Sequence, residues 1–107
     1  MPDLDLFLMA NLRQSSTGLP MVVWVSERGH AQHDARVKVQ MSHSHRMDAY
    51  NTASVEVRPV PRLVEGHLTT PDWRAVEQWI NLNRDALLAY WEGTIDTGEL
   101  MRTLVTI

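Results

Sequence analysis

The residues best suited to chemistry are histidines that lie close together in two segments with the composition of loops. The chain has 107 residues and five histidines, of which His30 and His33 lie three positions apart and His43 and His45 two positions apart. Imidazole combined with carboxylate suits zinc, nickel or iron. A site could combine one histidine pair with the carboxylate of Asp34, Glu27 or Asp48, and the candidate metal site is His30, His33 and Asp34.

A single ion cannot use both histidine pairs if the strands around them form a meander. The two loops would then lie at opposite ends of an eight-residue strand, about 25 Å apart. A loop that offers two histidines also supplies few fixed ligands. We therefore favour solvated loop histidines and keep metal binding, or a metal-dependent enzyme, as the alternative.

Basic side chains alternate along two predicted strands and would share the solvent-facing side of a sheet. Arg36 and Lys38 lie on one strand and Arg58 on the next, and Trp24 points to the same side from a third. Such a surface can contact an acidic protein or the phosphates of a nucleic acid. An isoelectric point of about 5.9 argues against nucleic acid, which stays a second alternative. The predicted interaction surface is thus Trp24, Arg36, Lys38 and Arg58.

The chain carries no recognisable catalytic motif. It has no cysteine, its five glycines are scattered singly, and neither a phosphate-binding loop nor a nucleophile elbow is present. Charge is uneven: residues 11–62 hold seven basic and four acidic side chains, whereas residues 63–107 hold three and seven. We therefore predict a non-enzymatic interaction or regulatory module without a cofactor, whose partner is another protein or a second copy of itself.

The hydropathy of the chain predicts neither a secretion signal nor a membrane partner. Asp3 and Asp5 stand where a signal peptide carries basic residues, and no run approaches the roughly 20 apolar residues of a membrane span. We predict a cytoplasmic protein.

Period-two alternation predicts three strands, at residues 19–26, 35–42 and 53–60, the last ended by prolines. Thr70, Pro71 and Asp72 start a helix whose apolar positions recur to Trp91, and residues 96–103 form a second, short helix. Asn83 lies on the apolar stripe, and we favour a structural role for it over a contact at a symmetric interface. For residues 3–12 we favour a helix over a strand.

These elements predict a single α+β domain over residues 1–107. Its architecture would be a three-stranded antiparallel meander covered by one long C-terminal helix, with a short terminal helix. The tryptophans of the long helix would cover the sheet, because each buries about 150–250 Å².

The segment from Trp79 to Trp91 resembles small bacterial proteins of the DUF4160 family, and the resemblance covers residues 20–91. In that family a short β-meander precedes a helix ending in tryptophan, and an acidic residue followed by His-Pro-Pro-His precedes a strand. The corresponding segment here runs from Glu27 to Asp34, with the prolines absent and a different histidine spacing. The resemblance implies a small bacterial accessory protein associated with toxin–antitoxin modules, and it assigns no catalytic residue.

Overall fold

The protein folds into a five-stranded antiparallel sheet and two C-terminal helices. The structure, a computed structural model, describes residues 9–44 and 46–107. Within them the strands pair in sequence order, β1 to β5. The elements are β1 (Ala10–Leu12), α1 (Gln14–Thr17), β2 (Val23–Val25), β3 (Arg36–Gln40), β4 (Thr52–Glu56), β5 (Arg62–Glu65), α2 (Thr70–Trp91) and α3 (Thr97–Thr103).

The α+β class and the long helix agree with the sequence, but the three-stranded meander is wrong. Two edge strands were missed, because β1 and β5 have three and four residues and are too short to show an alternating pattern. Pro61 does not prevent β5, since it stands just before the first paired residue. The helix predicted for residues 3–12 is also wrong at residues 10–12, where the chain forms β1. Residues 3–8 and His45 lie outside the described residues.

The inner face of the sheet packs against α2 in one apolar core. Val37, Val39 and Val55 contribute from the central strands, and Trp79 and Ile80 from the helix, all of them buried. The spacing of the buried helix residues matches the pitch of an α-helix, so one stripe of α2 covers the sheet. No helix within residues 9–44 and 46–107 is long and apolar enough to cross a membrane.

The outer face of the sheet is also partly covered, which corrects the exposed position predicted for Trp24. Its side chain is only 4 % exposed, because Val22, Met9, Met47 and Ala49 pack with it in a second apolar cluster. Met47 and Ala49 belong to the connection between β3 and β4, which folds back over the sheet. The alternation of the strand predicts the correct face for Trp24, but it does not predict that residues of the β3–β4 connection pack over that face.

The C-terminal tail is attached to α2 by Asn83. The Asn83 amide donates to the Val105 carbonyl at 2.9 Å and its oxygen accepts from the Val105 amide at 2.7 Å. A third hydrogen bond runs from Asn83 to the Trp79 carbonyl. These contacts agree with the structural role preferred for this buried amide. At the start of α2 the cap is Thr69, whose side chain accepts from the Asp72 amide, and Thr70 is already helical.

Candidate functional site

The predicted metal ligands lie near the C-terminal end of α2, where other groups already engage them. The His33 ring stacks on Trp91 with 5.6 Å between ring centroids, and its Nδ1 donates to the Asp34 carbonyl at 2.7 Å. His30 is exposed in the same turn. No group of three or more histidine, aspartate or glutamate side chains among the described residues could hold a metal ion.

The carboxylate of Asp34 is the acceptor of a two-pronged ion pair. Arg58 donates from Nε and Nη2 to its two oxygens at 2.8 Å each, and the same Nη2 reaches Glu92 at 2.9 Å. The side-chain hydrogen bond from Arg58, helped by the backbone amide of Ala35, lowers the pKa of Asp34 to about 2. The two acids in turn raise the pKa of Arg58. Arg58 thus joins the segment before β3 and the end of β4 to the end of α2, and it engages both oxygens of Asp34.

The predicted basic surface is divided and largely neutralised. Arg36 lies 4.0 Å from Glu65, and Arg62 pairs with Glu56 at 3.1 Å. Lys38 lies beside Trp24 in the sheet register, on the same face as Arg36. Arg58 does not join them, because it turns to the end of α2. A stripe whose arginines pair with acids offers phosphates less net charge than the sequence suggested.

The connection from β3 to β4, residues 41–51, is a rigidly held surface feature that we call the β3–β4 loop. Its anchor is Gln40, which is completely buried although the alternation of β3 places it on the same face as Arg36 and Lys38. The Gln40 amide donates to the Ser44 carbonyl at 3.0 Å, and its oxygen accepts from the Asp48 amide at 2.9 Å. One side chain therefore satisfies backbone groups on both arms of the loop.

A second contact attaches the loop to the helix layer. The ring of His43 places Nε2 2.9 and 3.0 Å from the two carboxylate oxygens of Asp72, which is buried in the first turn of α2. The side chain of His43 is 55 % exposed, so its other edge faces solvent. Together with Met47 and Ala49 packed on Trp24, the loop is held from three sides.

The held loop displays an aromatic ring and a guanidinium to solvent. Tyr50 is 72 % exposed, and its backbone amide is fixed by the side chain of Asp48 at 3.0 Å. Arg46 is exposed four residues earlier. Both side chains border a shallow depression of the loop, together with Ser42, Ser44, Met47, Asp48 and Ala49.

The sequence did not predict this loop as a site, because its histidines indicated a metal site and Tyr50 was not considered as a contact residue. The available signal was a large aromatic residue, Tyr50, in an otherwise polar stretch. The role of Gln40 had no local signal, since a glutamine on an alternating strand looks like any solvent-facing residue. The pairing of His43 with Asp72 joins positions 29 apart and depends on the packing of the helix. Comparison with known protein families, curated proteins and solved structures finds no match to this chain.

Proposed function

We propose that this protein is a non-enzymatic interaction module and that the β3–β4 loop is its partner-binding surface. The observation that carries the proposal is Tyr50, which is 72 % exposed on a loop held by a completely buried side chain. Surface tyrosines are ordinary, but one whose backbone is held by a hydrogen bond, on a loop with a buried anchor, is suited to recognition.

The physical advantage of such a loop is a lower entropic cost of binding. Ordering a flexible loop on association opposes binding, whereas the contacts of Gln40 and His43 have already fixed this one during folding. Tyrosine and arginine are also among the residue types most often found where interfaces concentrate their binding energy. Tyr50 supplies an amphipathic ring and Arg46 a positive charge, so we infer a partner segment that carries a carboxylate next to an apolar side chain.

A displayed library of random peptides tests this surface even while the natural partner is unidentified. We expect selection on the wild-type protein to enrich peptides that combine an acidic with an apolar residue. Tyr50→Ser and Arg46→Ser should each weaken binding of an enriched peptide at least tenfold in isothermal titration, a loss of roughly 1.4 kcal/mol or more.

The matched control is Val60→Ser, which changes a side chain that is 59 % exposed in the turn at the opposite end of β4. It should leave peptide affinity unchanged. The proposal is rejected if no peptide is enriched, or if the enriched peptides bind Tyr50→Ser and Arg46→Ser as tightly as the wild type.

Three broader statements about this module stay predictions. A bacterial origin and an association with toxin–antitoxin modules depend on the resemblance of residues 79–91 to the DUF4160 family. A cytoplasmic location depends on the composition of the chain. The peptide experiment addresses the interaction surface and none of these.

A further inference from the structure

The outward face of α2 carries a polar stripe opposite to the face that covers the sheet. Arg74, Gln78, Asn81 and Asp85 are all exposed or half-buried and follow one another at intervals of four, three and four residues. At 3.6 residues per turn these intervals place them in one row along the helix. The buried positions Val76, Trp79, Asn83 and Leu87 belong to the opposite side.

The charges and amides of the row are complementary to those of a second, antiparallel copy of the same row. If a second helix runs antiparallel and the two-fold axis passes between Gln78 and Asn81, Arg74 of one copy lies opposite Asp85 of the other. Gln78 then lies opposite Asn81, whose oxygen accepts from Arg84 of its own helix and whose side-chain amide can donate to the Gln78 oxygen. We propose that α2 forms an antiparallel, two-fold symmetric contact with α2 of a second copy of this chain.

The charges at the two ends of the row have no partner within the described part of the molecule. Neither Arg74 nor Asp85 takes part in any of the salt bridges or side-chain hydrogen bonds found among residues 9–44 and 46–107. Along the helix, the positions three and four residues from Asp85 hold asparagine, leucine, leucine and alanine, none of them basic. A second copy would supply the missing counter-charge to both residues at once.

The two sides of the row also suit this arrangement. On one side lies Leu82, which is 52 % exposed, and the two-fold axis places both copies of Leu82 on the same side, offset by about 7.5 Å along the helix. On the other side lie Glu77 and Arg84. Their positions along the helix axis bring Glu77 of one copy near Arg84 of the other. Within its own copy Arg84 donates from Nη2 to the side-chain oxygen of Asn81, which holds its guanidinium beside the row.

The composition of this face sets the strength of the contact. It is short and polar and offers one large apolar side chain per copy, so we expect a weak dimer that forms at high micromolar concentration. Its charge pairs are exposed and therefore sensitive to salt. The contact does not involve the β3–β4 loop, so it is independent of the proposed function, and either can fail without the other.

Sedimentation velocity on the wild-type chain, in about 20 mM and about 500 mM NaCl, gives the first test, since the screening length falls from roughly 20 Å to roughly 4 Å. We expect reversible dimerisation that is at least fivefold weaker at the higher salt. Arg74→Glu and Asp85→Arg should each be monomeric, because each places like charges opposite one another at both ends of the row.

Combining the two charge reversals should restore dimerisation, which a contact elsewhere on the molecule would not do. A one-to-one mixture of Arg74→Glu and Asp85→Arg should form a mixed dimer, and the double variant Arg74→Glu/Asp85→Arg should dimerise again. Arg102→Glu, a reversal of an exposed arginine on α3, should leave dimerisation unchanged. Equal thermal midpoints of all variants would show that the exposed substitutions leave the fold intact.

The antiparallel orientation of the two helices can be tested separately by disulfide crosslinking. The chain has no cysteine, so only the introduced cysteines can form disulfides. A mixture of Gln78→Cys and Asn81→Cys should form a mixed disulfide in preference to either symmetric one. The proposal would be overturned if the wild type stays monomeric at high micromolar concentration in the lower salt. It would also be overturned if the charge reversals leave dimerisation unchanged, or if a mixture of the two single variants stays monomeric.

Discussion

Single polar side chains that reach several backbone groups organise two irregular segments of this protein, the β3–β4 loop and the C-terminal tail. Gln40 satisfies the two arms of the β3–β4 loop, and Asn83 satisfies both backbone groups of Val105 in the tail. Both side chains are buried; Gln40 is the last residue of β3, and Asn83 lies within α2. A buried amide can bond to a donor and an acceptor at once, which makes it effective at holding an irregular segment.

At the residue scale we predict that Gln40→Ala is strongly destabilising, mainly because of the hydrogen bonds it removes. The substitution leaves the Asp48 amide and the Ser44 carbonyl without their buried partner, which should lower the free energy of unfolding by about 2 kcal/mol. Urea denaturation followed by tryptophan fluorescence measures the effect. Gln32→Ala, at an exposed turn position, should change the unfolding free energy by less than about 0.5 kcal/mol. Equal effects of the two substitutions would show that the loop does not depend on Gln40.

At the scale of elements, one arginine joins three parts of the chain. Arg58 follows β4, Asp34 precedes β3, and Glu92 caps the end of α2. His33 stacked on Trp91 and the hydrogen bond from the Arg28 amide to the Trp91 carbonyl lie at the same end of the helix. The segment that the sequence suggested as a metal site is therefore a junction between sheet and helix.

The junction predicts a stability loss in acid. Because Arg58 lowers the pKa of Asp34 to about 2 from 3.8, the folded state binds this proton more weakly than the unfolded state. The stabilisation is therefore complete above about pH 4 and is lost as the pH falls towards 2. The stability difference between wild type and Asp34→Asn should shrink over the same interval, measured by urea unfolding at each pH.

The carboxyl resonance of Asp34 gives the direct check on this junction. It should titrate near pH 2 in the wild type and at higher pH in Arg58→Ala, whereas Glu92→Gln, which keeps the contact between Asp34 and Arg58, should leave it low. Titration of Asp34 near 3.8 in the wild type would contradict the prediction.

The sequence predicted those elements whose pattern repeats over several turns or residues. A long helix starting at about Thr70 was expected, and α2 spans Thr70–Trp91 with Thr69 instead of Thr70 as its cap; its apolar positions recur along the whole helix. The central strands were expected from their alternation. Edge strands of three and four residues have no room for a pattern, so β1 and β5 were missed. The ion pairs of Arg58 and His43 join residues far apart in the chain, and only the folded arrangement reveals them.

On the scale of the whole molecule, the sheet is covered on both faces by unequal layers. Helix α2 covers one face with a continuous core, and the β3–β4 loop covers part of the other with the small cluster around Trp24. The apolar contacts of the β3–β4 loop with the outer face matter for a small domain, because its free energy of unfolding is only about 5–15 kcal/mol in total.

We predict that Trp24→Ala lowers the free energy of unfolding by about 3 to 5 kcal/mol, as expected for a large side chain removed from a closed packing environment. The residue lies on the face away from the helix. If that face were exposed to solvent, the loss of unfolding free energy would be much smaller. Thermal or urea unfolding distinguishes a covered outer face from an exposed one. Val60→Ala, at an exposed position, should stay within about 0.5 kcal/mol of the wild type. If Trp24→Ala changed the free energy of unfolding as little as Val60→Ala, the loop would not shield the outer face from solvent.

The order of the strands has a consequence for how the chain is made. Each strand pairs with the one synthesised just before it, so the sheet can grow hairpin by hairpin as the polypeptide leaves the ribosome. Its valine-rich inner face, by contrast, meets its cover only when residues 70–91 have emerged. During that interval the nascent chain carries a finished sheet with an apolar side still facing water, the kind of surface that chaperones bind.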